Sequence, residues 1–244
     1  MDPAVLRDDM VEGLVHESKG YVRSERVATA MRAVPREPFV EDESNAYTDT
    51  TTQTLGTTVL APSMAGRLLE ALDLRPDDDV LVVGCGVGYT AAVVAEVVGD
   101  RHVHAIDIAR RLVWEARSNL GRAGYDGVLV DRRDGAEGLP EYAPYDRILL
   151  EAAAIEPPQS LVAQLGADGR LVMPLGAQDQ HLAVVDEDGT HVDDRGPVAF
   201  TPMLLEGEQS DALERNRTHR EDREHADRAA QSHTGWERDW IDWD

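Results

Sequence analysis

The chain is poor in lysine, cysteine, phenylalanine and long apolar runs, and each shortage excludes something. Cys85 is the only cysteine among 244 residues, so no internal disulfide can form, and a reducing cytoplasm is the expected setting. No apolar run approaches the ~20 residues that cross a bilayer, and no membrane partner is expected. The first ten residues, MDPAVLRDDM, are acidic and lack the positive start and apolar core of a secretory signal. Lysine occurs once, at Lys19; arginine supplies the remaining basic charge, and the formal net charge is −23. Such a surface repels itself in dilute buffer. At molar salt the Debye length falls to ~3 Å and the repulsion is screened, so the composition reads as adaptation to a salt-rich cytoplasm. The same charge argues against a nucleic-acid partner, because phosphate binding needs clustered Lys and Arg. No metal site is expected.

What the chain does have is a regular order of elements. Residues 1–45 read as helical, with MVEGLVHESK followed by SERVATAMRAV. Ser24 is the expected N-cap of the second helix, and Val27, Met31 and Val34 share one face. Pro35 and Pro38 end it. The threonine-rich residues 46–60 read as a loop or irregular strand, and residues 62–74 resume a helical period. From residue 79, short apolar strands at 80–84, 102–107, 126–132, 146–151 and 169–176 alternate with helical stretches, the last over residues 158–166. A closing pair, 181–188 and 196–204, joins through Asp188-Gly189, a hairpin signal. This order predicts an α/β fold with a doubly wound, mostly parallel sheet and an antiparallel terminal hairpin. The expected division is an N-terminal helical segment over 1–60, a cofactor-binding domain over 61–206 and an acidic extension over 207–244. In that extension Trp236, Trp240 and Trp243 form one helical stripe, which suggests docking on the domain itself, on a second copy or on a paralogue.

The residues with chemical meaning cluster after the first sheet strand. Residues 80–89 read VLVVGCGVGY, a glycine-rich turn between strand and helix, where α/β sheets bind nucleotides. Gly84 permits the tight turn, and Gly86 and Gly88 clear space for a ligand against the backbone. The helix from Tyr89 offers free N–H groups to a carboxylate or phosphate. Asp107 ends the second strand about twenty residues on, where an acidic side chain receives ribose hydroxyls; Ile108 follows it. Asp134-Gly135 follows the third strand and suits an adenine amino group. The G-x-G-x-G spacing favours S-adenosylmethionine over a dinucleotide. Cys85 reads as a small loop residue with no activating base beside it.

At this level the chain resembles the protein-L-isoaspartate (D-aspartate) O-methyltransferases. The likeness is carried by SERVATAMRAVPREPFV, AYTD, APSM, VLVVGCGVGYTAAVVAEVVG, NLGRAGYDGV, LPEYAPYDRILLEAAA, QLGADGRLVMPLG and GPVAFTPML. It implies a Rossmann-like, seven-stranded class I methyltransferase fold. It also implies methyl esterification, with S-adenosylmethionine, of the abnormal α-carboxylate of isoaspartyl residues in aged proteins. By position it makes Gly84, Cys85, Gly86, Gly88, Asp107, Ile108, Asp134 and Gly135 cofactor residues. Thr57, Thr58, Val59 and Leu60 fall between cofactor and acceptor, and Gln180 closes over the site. The departures lie on the acceptor side. GTTVLAPS stands where the family reads roughly GQTIS-x-P-H, so Leu60 takes the place of a serine and Ser63 that of a histidine. TTTQTL replaces a proline-and-glycine loop, Glu151 replaces a threonine, and Val82 replaces an acidic residue.

A carboxylate acceptor with a pKa near ~4 is already ionised at neutral pH. Methyl transfer to it needs alignment and exclusion of water rather than a general base. Loss of one hydroxyl at Leu60 is therefore compatible with turnover, with Thr58 keeping a hydroxyl close by. The competing reading is a cofactor-binding paralogue with lost or changed acceptor activity, acting as a regulator or partner of an active copy. A nicotinamide oxidoreductase is a third; it predicts protection by NADH instead of S-adenosylmethionine.

Overall fold

The computed structural model describes residues 2–16 and 20–205; the tryptophan stripe at Trp236, Trp240 and Trp243 lies outside them. Helix α1, Pro3–Val15, begins earlier than its apolar pattern suggests. Asp2 caps it by accepting from the Ala4 N–H, and Pro3 occupies the first turn, where no N–H is needed. Helix α2, Glu25–Ala33, starts at Ser24, whose hydroxyl accepts from Val27 N. Ser24 also donates from N and Oγ to Glu70, at 2.8 Å each. The expected face of α2 is the buried one: Val27, Met31 and Val34 are all closed to solvent.

The threonine-rich stretch is more regular than its composition suggests. Strand β1, Thr52–Thr54, pairs antiparallel with β2, Thr57–Val59. Leu55 and Gly56 connect them, both with positive φ (48° and 74°), as a two-residue hairpin turn requires. Helix α3, Pro62–Leu72, follows, with proline again in its first turn.

The main sheet comprises β3 (Val80–Val83), β4 (Val103–Asp107), β5 (Leu129–Arg132), β6 (Tyr145–Leu150), β7 (Leu165–Leu175), β8 (Gln180–Asp186) and β9 (His191–Val198). Its spatial order is β5-β4-β3-β6-β7-β8-β9. Strands β3 to β7 run parallel, and β8 is antiparallel to both its neighbours. From β3 the chain winds outward through β4 and β5, then returns to β6 on the other side. The crevice at the carboxyl ends of β3 and β6 is therefore the topological switch point. Helices α4 (Tyr89–Val98), α5 (Arg110–Ala123) and α6 (Gln159–Val162) connect the strands. All four residues of β3 are buried, because both faces are covered. Val80 and Val82 join a cluster with the N-terminal helices, α3 and α4; Leu81 and Val83 join one with Leu161 and Val162 of α6.

The largest boundary differences from expectation fall at two places. The helix expected over residues 158–166 is short, because Leu165 already pairs with Tyr145 as β7 begins. The last strand starts at residue 191 rather than 196, after a turn in which Gly189 takes φ 78°. It ends at Val198, and residues 199–204 leave the sheet and cross to the carboxyl end of β6, where Pro202 bridges to Ala153. Among the described residues no helix is long and apolar enough to cross a membrane.

Candidate active site

The glycine turn after β3 is strapped to β4 by backbone bonds and by one carboxylate. Gly84 and Cys85 both donate to the Ile106 carbonyl, at 2.8 and 3.1 Å, strapping the loop to β4. Gly84, Gly86 and Gly88 all have positive φ. A Cβ on Gly86 would lie 3.5 Å from Thr57 Oγ1, so the loop and the β1–β2 hairpin approach each other here. Gly88 does something other than clear space for a ligand. It is the N-cap of α4, and a Cβ there would meet Ala116 and Leu120 of α5 at 3.4 Å. No side chain caps α4, and Tyr89 and Thr90 of its first turn line the cleft, so the helix start faces the crevice with its first N–H groups unclaimed by a capping side chain.

Asp107 closes β4 beneath this loop. Its Oδ2 accepts from Gly86 N at 3.0 Å and its Oδ1 from Ala109 N at 2.8 Å. Burial pushes its pKa up, and those backbone bonds pull it down. Each oxygen retains a lone pair for a further donor. Ile108 and Gly135 line the same cleft. Asp134 flanks it: its Oδ1 accepts from Ala136 N at 2.8 Å and shapes the turn that presents Gly135. Cys85 is buried, and desolvation with the nearby Asp107 and Glu151 carboxyls pushes its thiol well above the usual range. It lines the floor of the cleft.

The opposite wall is the hairpin. Thr57, Thr58, Val59 and Leu60 face the cleft, whose volume is about 1720 Å³. Thr58 Oγ1 accepts from Gln53 Nε2 at 2.9 Å. Leu60 is half-buried and packs against the hydrophobic cluster that includes Val59 and Ala65. Ser63 is not among the lining residues; its N–H is bonded to Asp49 Oδ1 in the first turn of α3. Gln180 does not face the cleft either. Its amide donates to Phe200 O at 3.0 Å and accepts from Phe200 N at 2.7 Å, which clamps the segment 199–204 that forms the third wall.

Two features went unread in the sequence, and a third, Glu151, was read only as a departure from the family pattern without its burial. Arg36, between Pro35 and Pro38, is 1% exposed. It donates to the Leu60 carbonyl and lies 4.3 Å over the Tyr89 ring, tying the acceptor wall to α4. Charge alone gave no sign of burial there. Arg110, Arg111 and the exposed Trp114 line the cleft from α5, a basic and aromatic edge on an acidic protein. Glu151, next after β6, has its Oε1 closed to solvent and unpartnered. Its signal was a charge ending the apolar run DRILLE.

The family model for protein-L-isoaspartate(D-aspartate) O-methyltransferase matches residues 7–208. The chain belongs to that family. A protein-L-isoaspartate O-methyltransferase of Methanocella arvoryzae is 45% identical over 181 residues, 71% of this chain and 96% of the relative. One from Hyperthermus butylicus is 45% identical over 217 residues, 82% of this chain and 89% of the relative. The fold matches a Plasmodium falciparum protein, assigned as a protein-L-isoaspartate O-methyltransferase and crystallised with S-adenosyl-L-homocysteine. The TM-score is 0.70 at 22% identity, over 81% of this chain and 97% of that one. A second solved protein-L-isoaspartate O-methyltransferase matches with TM-score 0.72 at 27% identity, over 83% of this chain and 66% of that one. Of the positions read from the sequence as departures from the family pattern, Leu60 and Glu151 line the cleft, whereas Ser63 and Val82 are not among its lining residues.

Proposed function

We propose that the protein transfers a methyl group from S-adenosylmethionine to the free carboxylate of isoaspartyl residues in proteins and peptides of the cytoplasm. The observation that carries this reading is the cleft between the glycine loop with Asp107 and the hairpin Thr57–Val59. The residues fit the cofactor. The uncapped start of α4 suits its carboxylate. Asp107 suits its ribose hydroxyls, and the turn at Asp134-Gly135 borders its adenine. The bound cofactor supplies an electrophilic methyl group on a sulfonium. The hairpin holds the acceptor carboxylate in line with it and keeps water out. Arg110 and Arg111 at the edge favour an anionic acceptor, and no base is required because that acceptor is already ionised.

A paralogue without acceptor activity is the weaker reading. Leu60 packs against the core and so serves as wall rather than plug. The expected result is methyl incorporation into an isoaspartyl peptide at molar salt by the wild-type protein. Leu60→Ser should shift kcat/KM by no more than about tenfold, the weight of one hydrogen bond. An inert wild type beside an active Leu60→Ser would contradict the proposal.

A further inference from the structure

Glu151 lines the cleft with one carboxyl oxygen closed to solvent and unpartnered. It follows β6, directly beside the loop after β3: its N–H donates to Val83 O at 2.9 Å, and its backbone lies 3.9 Å from where a Gly84 Cβ would stand. It therefore stands at the switch point, on the cleft wall. The Thr90 side chain, in the first turn of α4, lies near enough to offset part of the effect of burial on this carboxyl. The Glu151 Oε1 is sealed from water with no partner. The titratable groups around it are Asp107 from β4 and the Cys85 thiol from the loop, both acidic. Among the described residues no ion pair joins it to a basic side chain. A buried carboxyl with an unmade hydrogen bond is unfavourable in isolation, and a compact cationic donor in the cleft would relieve it.

We propose that Glu151 receives the primary ammonium group of the cofactor's methionyl moiety, and that this pair selects adenosyl compounds carrying an amino acid over those lacking one. The assignment rests on the cofactor reading above. It places opposite charges on matching supports: the ligand carboxylate at the uncapped start of α4, and the ligand ammonium at Glu151 on the neighbouring strand end. The thioether or sulfonium between them makes no demand on this carboxylate.

The test is calorimetric titration of wild type and Glu151→Gln with S-adenosylhomocysteine and with methylthioadenosine, which keeps adenine, ribose and sulfur but has no ammonium or carboxylate. Glu151→Gln is expected to weaken S-adenosylhomocysteine by about tenfold or more and to leave methylthioadenosine unchanged. A second signature needs no variant. Burial holds the Glu151 pKa up at about 7, so at pH 6 the group is mostly neutral while the ligand amine is protonated. Pairing must then expel a proton, and the wild-type enthalpy for S-adenosylhomocysteine, but not for methylthioadenosine, should vary with buffer ionisation heat. Equal weakening of both compounds, or no weakening of either, overturns the assignment, as does proton release that is absent or identical for both. If the wild type binds neither compound, the cofactor reading itself fails.

Discussion

At the scale of single residues, two carboxyls, Asp107 and Glu151, dominate the electrostatics of the cleft wall. Glu151 titrates near 7 when folded, against 4.5 for the ordinary side chain, with desolvation as the main cause. Below pH 4.5 both folded and unfolded states are neutral there. Between 4.5 and 7 the unfolded chain ionises while the folded one keeps its proton, so this group's stability contribution falls as pH rises through that window. Glu151→Gln removes the effect. Its Tm relative to wild type should climb by several degrees from pH 4.5 to 7.5, at about 2–4 °C per kcal/mol for a chain of this size. Parallel Tm profiles in scanning calorimetry at fixed salt would show that the carboxyl is not held neutral. Residue types were legible without the fold; their partners were not. Asp107 could be placed by its distance from the glycine loop, but its bonds to Gly86 and Ala109 could not. The burial of Arg36 needed the Leu60 carbonyl and the Tyr89 ring, brought together from 24 and 53 positions away along the chain.

At the scale of elements, three segments from distant parts of the chain make the cleft, and each is held by a small device. The β1–β2 hairpin depends on Leu55 and Gly56 at positive φ, and it touches the glycine loop at Gly86. Gly86→Ala adds a methyl to a backbone with φ 54°, 3.5 Å from Thr57 Oγ1. The left-handed conformation alone costs about 1–2 kcal/mol. The expected outcome is a Tm loss of a few degrees with clearly weaker S-adenosylhomocysteine binding by calorimetry; unchanged affinity would remove the loop from the binding wall. Gln180 holds residues 199–204 through both amide bonds to Phe200. Gln180→Ala should lose about 1–3 kcal/mol and raise KM for the acceptor more than it lowers kcat, which steady-state kinetics would read. The strands and the long helices were legible because β3 is an unbroken apolar run and α2 carries a strong helical period. The hairpin at residues 52–59 was not, since threonine suits strand and loop alike. Nor was the exit of residues 199–204 from the sheet, which is set by pairing with Ala153 rather than by local pattern.

At the scale of the whole molecule, a net charge of −23 surrounds a cleft edged with Arg110, Arg111 and Trp114. Self-repulsion should make stability rise with ionic strength as the Debye length shortens from ~10 Å at 0.1 M to ~3 Å at 1 M. A Tm that does not move between dilute buffer and molar salt would refute the salt-adaptation reading while leaving the catalytic one intact. The central claim concerns the acceptor. The most direct measurement is mass spectrometry of two isomeric peptides, one isoaspartyl and one aspartyl, after incubation with the protein and S-adenosylmethionine at molar salt. The account predicts a base-labile methyl ester on the isoaspartyl peptide and none on its isomer. Esters on neither peptide, or on both alike, would contradict it.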